Sequence, residues 1–298
     1  MTESSKEIFI HIGFPKSAST YLQTEVFPEI DAEYFFVLGD LNIITELIKN
    51  LKAQVAKSKK KKIVISQESL SGHPHGHNAP IGFNKIADAL KENFPNAKIL
   101  IIIRNQFEYI KSVYSYSTAT EGMLSCNFEN YLNKIGDNYL FPKLQYNILI
   151  EYYIKYFGKD RVLVVPMEMI KNKTEFNNKL MNFFGVSSLP FVNSKKVNTS
   201  TKNLCIINFW RPFNYFLKKA VSLLVVLGLI QKEKIRAVKN FYYRFKIISL
   251  PILEKIFFLS GDLKIPKERE KKLSTIFSKS NKDTENLIDI DLNKYDYP

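Results

Sequence analysis

The sequence is poor in cysteine, in acidic residues and in long apolar runs. Only Cys126 and Cys205 occur in 298 residues, with no pairing pattern, so a disulfide framework is excluded and free thiols in a reducing compartment are expected. The longest apolar stretch, Ala220 to Ile230 in KKAVSLLVVLGLIQ, runs for 11 residues. A bilayer crossing needs about 20, so this segment does not span. The N-terminal MTESSKEIFIHIG lacks the basic segment and long apolar region of a secretory signal, which predicts a cytoplasmic protein. The shortage of acid leaves 29 Asp and Glu against 43 Lys and Arg, a formal charge of +14. Such a balance favours an acidic ligand, nucleic acid or an anionic membrane surface. The lysines are scattered and no nucleic-acid motif accompanies them, so nucleic acid is the least supported of the three.

What is present is enough apolar material for a large core, 45% of the residues, in a chain that reads as one domain over residues 1–298. Residues 7 to 13 read as a buried strand, and Ser17 to about Phe27 as a helix stopped by Pro28. In LGDLNIITELIKNL, Asp40 is a candidate N-cap, with Leu41, Ile44, Leu47, Ile48 and Leu51 at helical spacing. KIVISQES is a second short strand and GFNKIADALKENFP a helix. AKILIII reads as a central strand followed by a helix from near Asn105. A helix ending at Gly158, a strand over 161–165 and a capped helix from Thr174 to Phe184 complete the repeats. Recurring strand-then-helix units predict an α/β, P-loop-like domain whose central parallel sheet is covered by helices on both faces. Ligands of such sheets sit at the carboxyl ends of the strands.

Residues 203–275 differ: basic, apolar and aromatic, with no strand pattern, they read as a mostly helical C-terminal subregion. The ending LIDIDLNKYDYP reads as a packed tail. The apolar run from Ala220 reads first as a buried core helix. Because Lys218, Lys219, Lys232, Lys234 and Arg236 flank it, peripheral contact of 213–236 with the inner face of a membrane is the second reading.

The stretch FIHIGFPKSAST carries the first chemistry. A turn leading into a helix N-terminus offers backbone N–H groups and a positive dipole end to an anion. Lys16 adds a charge, and Ser17, Ser19 and Thr20 add hydroxyls; the plainer reading is a helix cap. The nucleotide-triphosphatase loop G-x-x-x-x-G-K-[ST] differs, because Pro15 precedes the lysine here and Gly13 lies only three positions upstream of Lys16. The shortened loop fits a metal-free anion site better than a wrapped triphosphate. A second polar strand end follows in RNQFEYIKS, where Arg104 can fork onto phosphate oxygens and Ser112 lies two helical turns along.

FPKSAST after a strand resembles the 5′-phosphosulfate loop of sulfotransferases that use 3′-phosphoadenosine 5′-phosphosulfate (PAPS), in which a Pro-Lys-x-Gly-[ST]-[ST] pattern is usual. Arg104 and Ser112 resemble that family's 3′-phosphate site. YFGKDRVLVVPMEMIKNKTEFNNKLMNFFGV is similar to its third block, and KKVNTST at 195–201 resembles the loop closing over the nucleotide. IDLNKYDYP resembles the ending of bacterial members, on the carbohydrate-sulfating side of the family. The resemblance implies that Pro15, Lys16, Ser17, Ala18, Ser19, Thr20, Arg104, Ser112, Asn198 and Ser200 bind PAPS, with no metal required. Ala18 departs from the pattern by standing where glycine is usual, and its Cβ restricts both φ and close approach.

Sulfuryl transfer to an alcohol needs a base beside the hydroxyl and positive charge on the departing phosphate. Lys16 suits the second role. Glu68, at the end of KIVISQES, stands where the family places its catalytic histidine or glutamate, and is the expected base if burial raises its pKa. A capping or lysine-paired glutamate is the plain alternative. In SGHPHGHNAP the alternation of His73, His75 and His77 could suit a metal, but the intervening Gly72, Pro74 and Gly76 favour an irregular loop lining the acceptor site, with His73 and His75 as acceptor-site candidates. His11, inside the first strand, reads as an interior histidine. The expected activity is transfer of a sulfuryl group from PAPS to a hydroxyl of a carbohydrate or glycolipid. A non-catalytic nucleotide-binding protein of this fold and a small-molecule kinase are the rival classes.

Overall fold

The structure, a computed structural model, describes residues 6–36, 44–71, 82–189, 201, 203–227, 229, 231–257 and 261–298. The chain forms two compact units, one made of Met1–Gln106, Tyr139–Val197 and Lys271–Pro298, the other of Phe107–Asn138 and Asn198–Glu270.

The first unit is built on a sheet of five strands, β1 (Glu7–Gly13), β2 (Ala32–Phe36), β3 (Lys62–Gln67), β4 (Lys98–Ile103) and β5 (Val162–Pro166), in the order β2-β3-β1-β4-β5. All four pairings are parallel, as the strand-then-helix repeats predict. The central strands β1 and β4 show why. Ile10, Ile12, Ile99, Ile101 and Ile103 are all fully buried. Leu100 and Ile102, which alternate with the isoleucines of β4, and Phe9 of β1 join a cluster with Leu22, Phe27, Phe176, Leu180 and Phe184. Successive strand residues point to opposite faces, so a strand apolar at every position must be covered on both. The helices Phe83–Asn93, Tyr146–Phe157 and Lys173–Phe184 supply that cover from their apolar sides.

Three boundaries differ from the sequence reading. The edge strand β2 has no counterpart in the sequence reading, because AEYFF is short and Ala32 to Phe35 are only half-buried, with little to distinguish the stretch from the end of a loop. The segment after β1 is helical only over Ser19–Tyr21 before it widens into a π-helical turn, Leu22–Val26, and a 3-10 turn, Phe27–Glu29, with Pro28 in its first turn. The cap of the helix Lys173–Phe184 is Asn172, whose side chain accepts from the Glu175 N–H, and not Thr174. Gly158 and Gly185 end helices at positive φ, as expected. The C-terminal tail is packed, with Leu292 and Tyr297 buried. Asp40 and Leu41 lie outside the described residues.

The second unit contains two long helices, Leu204–Val226 and Lys232–Ile256. Their outer ends meet: the Leu204 N–H donates to the Gly261 carbonyl at 3.1 Å and the Asn203 amide to the Phe257 carbonyl at 2.6 Å. The pair is therefore an antiparallel hairpin. Its base is pinned by a buried lysine. Lys246 Nζ donates to the Thr118 carbonyl and to Asn214 Oδ1, each at 2.7 Å, and lies 4.7 Å and 4.8 Å from the ring centroids of Trp210 and Tyr242. Asn214 in turn donates to the Thr118 and Leu124 carbonyls, and its Oδ1 also accepts from the Tyr242 hydroxyl. Burial draws the Lys246 pKa down to about 7. The expectation that the run from Ala220 is a core helix is corrected: Leu223, Val226, Leu227 and Leu229 are all exposed, since no other described part of the unit packs over them. Cys205 is exposed and Cys126 half-buried, both as free thiols.

Candidate active site

Sheet register brings the predicted residues to one edge. Gly13 is level with Ile102 across β1 and β4, Ile12 with Gln67 across β1 and β3, and Ile103 with Pro166 across β4 and β5. The residues that come after each strand, among them Lys16, Glu68, Arg104 and Glu168, thus leave the sheet at the same end. The chain runs from β1 towards β2 on one side and from β4 towards β5 on the other, so this end, between β1 and β4, is the topological switch point where α/β sheets bind ligands.

The loop after β1 is tightly built. The Ser17 N–H donates to the Phe14 carbonyl at 3.1 Å, and Lys16 and Ala18 both take left-handed backbone conformations, φ 67° and 61°. Alternation of this kind turns successive N–H groups inward into an anion-binding nest. Ala18 adopts the conformation in which glycine is usual, so its Cβ costs backbone energy without preventing the turn. Phe14 anchors the loop edge-on against Tyr146, with ring centroids 5.1 Å apart. Gly13 is required: a Cβ there would stand 2.5 Å from the Ser19 hydroxyl and 3.0 Å from the His11 ring. Ser17 and Ser19 are buried; the Ser17 hydroxyl makes no hydrogen bond among the described residues, and the Ser19 hydroxyl faces the Glu68 carboxylate. Buried hydroxyls are ordinarily satisfied, so the Ser17 hydroxyl marks a place suited to a polar ligand. Pro15 and Thr20 are half-buried beside them.

Arg104 reaches this loop from the end of β4. Its Nη1 donates to the Lys16 carbonyl at 2.7 Å, while its Nε is buried without a partner among the described residues. The Tyr146 hydroxyl donates to the Arg104 carbonyl at 2.6 Å and fixes the backbone there. Glu68 opens the 3-10 turn Glu68–Ser71. Burial raises its pKa, while the Lys16 charge and the nearby Ser19 hydroxyl partly offset the rise. A carboxylate, an ammonium and two buried hydroxyls therefore share one strand edge. The Ser71 hydroxyl closes the corner by donating to the Gly13 carbonyl at 2.9 Å.

Behind the loop, His11 Nδ1 lies 2.9 Å from the Ser66 hydroxyl, which also accepts from Gln23 Nε2 at 3.0 Å. Complete burial lowers the His11 pKa to about 3, so the imidazole is neutral. On the other side, Glu168 was not singled out by the sequence reading. Its carboxylate accepts from the Asn105 N–H and from the Tyr297 hydroxyl, each at 3.0 Å, and the Asn105 amide donates to the Asp296 carbonyl. Gln106 donates to Asn281 at 2.6 Å, and Asn281 donates to the Pro298 carbonyl at 2.6 Å. The tail is thereby stitched to the end of β4. The signal for Glu168 was present in its position just after β5. Ser112 belongs to the second unit and is buried on the helix Gln106–Ser115. His73, His75, Asn198 and Ser200 lie outside the described residues. Thr201, which ends the predicted closing loop, is buried and accepts from the Ser115 hydroxyl.

A crystal structure of a sulfotransferase from Alicyclobacillus acidocaldarius superposes on 98% of this chain and 99% of its own, with a TM-score of 0.58 at 13% identity. The chain has the sulfotransferase fold. Mouse sulfotransferase SULT7A1 complexed with PAP gives a TM-score of 0.40 at 18% identity over 70% of this chain and 66% of that one. A sulfotransferase domain from the curacin biosynthetic pathway gives 0.35 at 14% identity over 68% and 82%; at these scores neither adds to the fold assignment. No protein-family model matches the chain, and no curated protein matches its sequence. Within the sulfotransferase fold, the loop after β1 and Arg104 occupy the β1/β4 switch point that the topology alone marks as the ligand end.

Proposed function

We infer that the protein is a sulfotransferase that uses PAPS as donor and a hydroxyl of a carbohydrate or glycolipid as acceptor. The observation that carries this reading is the buried, unpartnered hydroxyl of Ser17 in the loop after β1, next to Lys16 and close in sequence to Ser19, whose hydroxyl faces Glu68. The loop's nest and the two hydroxyls suit the oxygens of the donor's 5′-phosphosulfate, and Arg104, with an unused buried N–H, suits its 3′-phosphate. Ser112, Asn198 and Ser200 are the further donor contacts that the family resemblance implies, and His73 and His75 are the acceptor-side candidates.

The donor supplies an activated sulfur–oxygen bond. Glu68 takes the proton from the acceptor hydroxyl, whose oxygen bonds to sulfur as the bond to the departing phosphate breaks. Lys16 stabilises the charge left on that phosphate. The raised pKa of Glu68 brings a carboxylate closer to the basicity an alcohol demands. Metal need play no part in these steps, since Lys16 already carries the positive charge they require. The test is transfer of labelled sulfate from PAPS to a pool of glycans and glycolipids. Label in the acceptor is expected; magnesium-dependent phosphate transfer from ATP with no sulfate transfer would overturn the reading in favour of a kinase.

A further inference from the structure

The long helical hairpin of the second unit carries an apolar surface that the proposed chemistry does not use. On the helix Leu204–Val226, Phe213, Phe216 and Leu223 recur at helical spacing and are all exposed, Phe216 by 67%. On Lys232–Ile256, Phe241, Phe245 and Ile248 do the same, Phe241 by 75% and Ile248 by 73%. The two stripes meet across the hairpin, because Phe213 and Phe245 both lie edge-on to Trp210, at 5.9 Å and 6.1 Å. Between Asn214 on one helix and Lys246 on the other, none of the described residues is buried. At the tip, Val226 is exposed by 80% and Leu229 by 68%. Soluble surfaces rarely carry so continuous an apolar patch without a partner.

The charge on the hairpin selects that partner. Residues 204–256 contain ten Lys and Arg against two acidic residues, Glu233 and Glu254. Lys219, Lys234, Lys239, Arg244 and Lys255 are exposed alongside the stripes. A second copy would bring the same excess of positive charge against itself, with almost no acid to pair it. An anionic lipid surface offers an apolar boundary for the stripes and negative headgroups for the lysines, whose apolar stems let the charges reach outward. Neither helix is long and apolar enough to cross a bilayer. We propose that the hairpin of residues 204–256 lies in the plane of an anionic membrane surface, with its phenylalanine and isoleucine stripes among the acyl chains and its lysines at the headgroups. This surface does not depend on which reaction the sheet edge performs.

The test is co-sedimentation of the full chain with vesicles of phosphatidylcholine alone and of an equal mixture with phosphatidylglycerol. Binding to the mixed vesicles is expected to be at least tenfold tighter, by the roughly tenfold per one or two basic contacts that such surfaces give, and to fall as salt is raised. The double variant Phe216→Asp with Phe241→Asp should lose about tenfold or more on mixed vesicles. Its thermal melting and nucleotide binding should match the parent. The variant Lys219→Gln, Lys239→Gln, Arg244→Gln should lose binding on mixed vesicles while leaving any weak binding to phosphatidylcholine unchanged. Absence of binding to the mixed vesicles, or equal binding by the aspartate variant, overturns the proposal. A dimer seen by light scattering that the same aspartate variant dissolves would assign the stripes to a second copy and overturn it as well.

Discussion

The sheet edge of the first unit and the helical hairpin of the second depart from ordinary packing in opposite ways. At the sheet edge, polar groups are buried without partners among the described residues: the Ser17 hydroxyl and Nε of Arg104. Along the hairpin, apolar groups are exposed without cover. Each departure costs free energy in isolation, the first by leaving hydrogen-bonding groups unsatisfied and the second by leaving apolar area in water. Each would be relieved by a different chemistry, an oxyanion in one case and an apolar, anionic boundary in the other. Unmet demand at a surface thus reads as a description of the missing partner.

The comparison can be broken most sharply at Lys16. Lys16→Ala should lower sulfuryl transfer about 10³-fold or more, on the scale of other cations that stabilise a transferring group; single-turnover rates near those of the parent would remove it from the chemistry. Glu68→Gln should cost about 10²–10⁴-fold in rate while sparing donor affinity. Because burial raises the Glu68 pKa, the rate of the parent should climb with pH through a midpoint above the ordinary carboxylate range, and the variant should lose that limb. A midpoint at the ordinary carboxylate value would mean that the base lies elsewhere.

On the hairpin side, Asn214→Ala should destabilise the protein by about 3 kcal/mol, measured by urea unfolding. It removes the donor to the Thr118 and Leu124 carbonyls and leaves Lys246 with one oxygen acceptor fewer. A loss under about 1 kcal/mol would show that this polar knot does not hold the base. The smallest effect is expected at Ala18. With φ at 61°, Ala18→Gly should relieve left-handed strain and stabilise by roughly 0.5–1 kcal/mol, net of the extra chain entropy of glycine. Destabilisation would mean that the alanine Cβ makes contacts worth more than the strain.

The two regions also differed in how legible they were. β1, β3, β4 and β5 could be read because strands buried on both faces leave unbroken apolar runs, and a parallel sheet delivers the residue after each strand to the same end. Lys16 and Arg104 could be nominated for that reason, and Glu68 through the family resemblance, before any contact among them was known. Glu168 was missed although it obeys the same rule, because the residues that engage it, Asn105 and Tyr297, are remote in the chain. In the hairpin, the short apolar run from Ala220 was a misleading guide. A stripe at helical spacing looks the same whether it faces a core or a membrane, and Pro212 and Pro251 sit inside the two helices where a sequence reading expects breaks. Lys246 could not be foreseen either, since its burial depends on acceptors supplied by Thr118 and Asn214.

The central claim, that the loop after β1 and Arg104 bind the donor nucleotide of a sulfotransferase, is tested most directly by calorimetry of adenosine 3′,5′-bisphosphate against ATP, with and without magnesium. The bisphosphate is expected to bind at least about tenfold more tightly, a difference of about 1.4 kcal/mol, with an affinity that magnesium does not alter. Tighter, magnesium-dependent binding of ATP would contradict it.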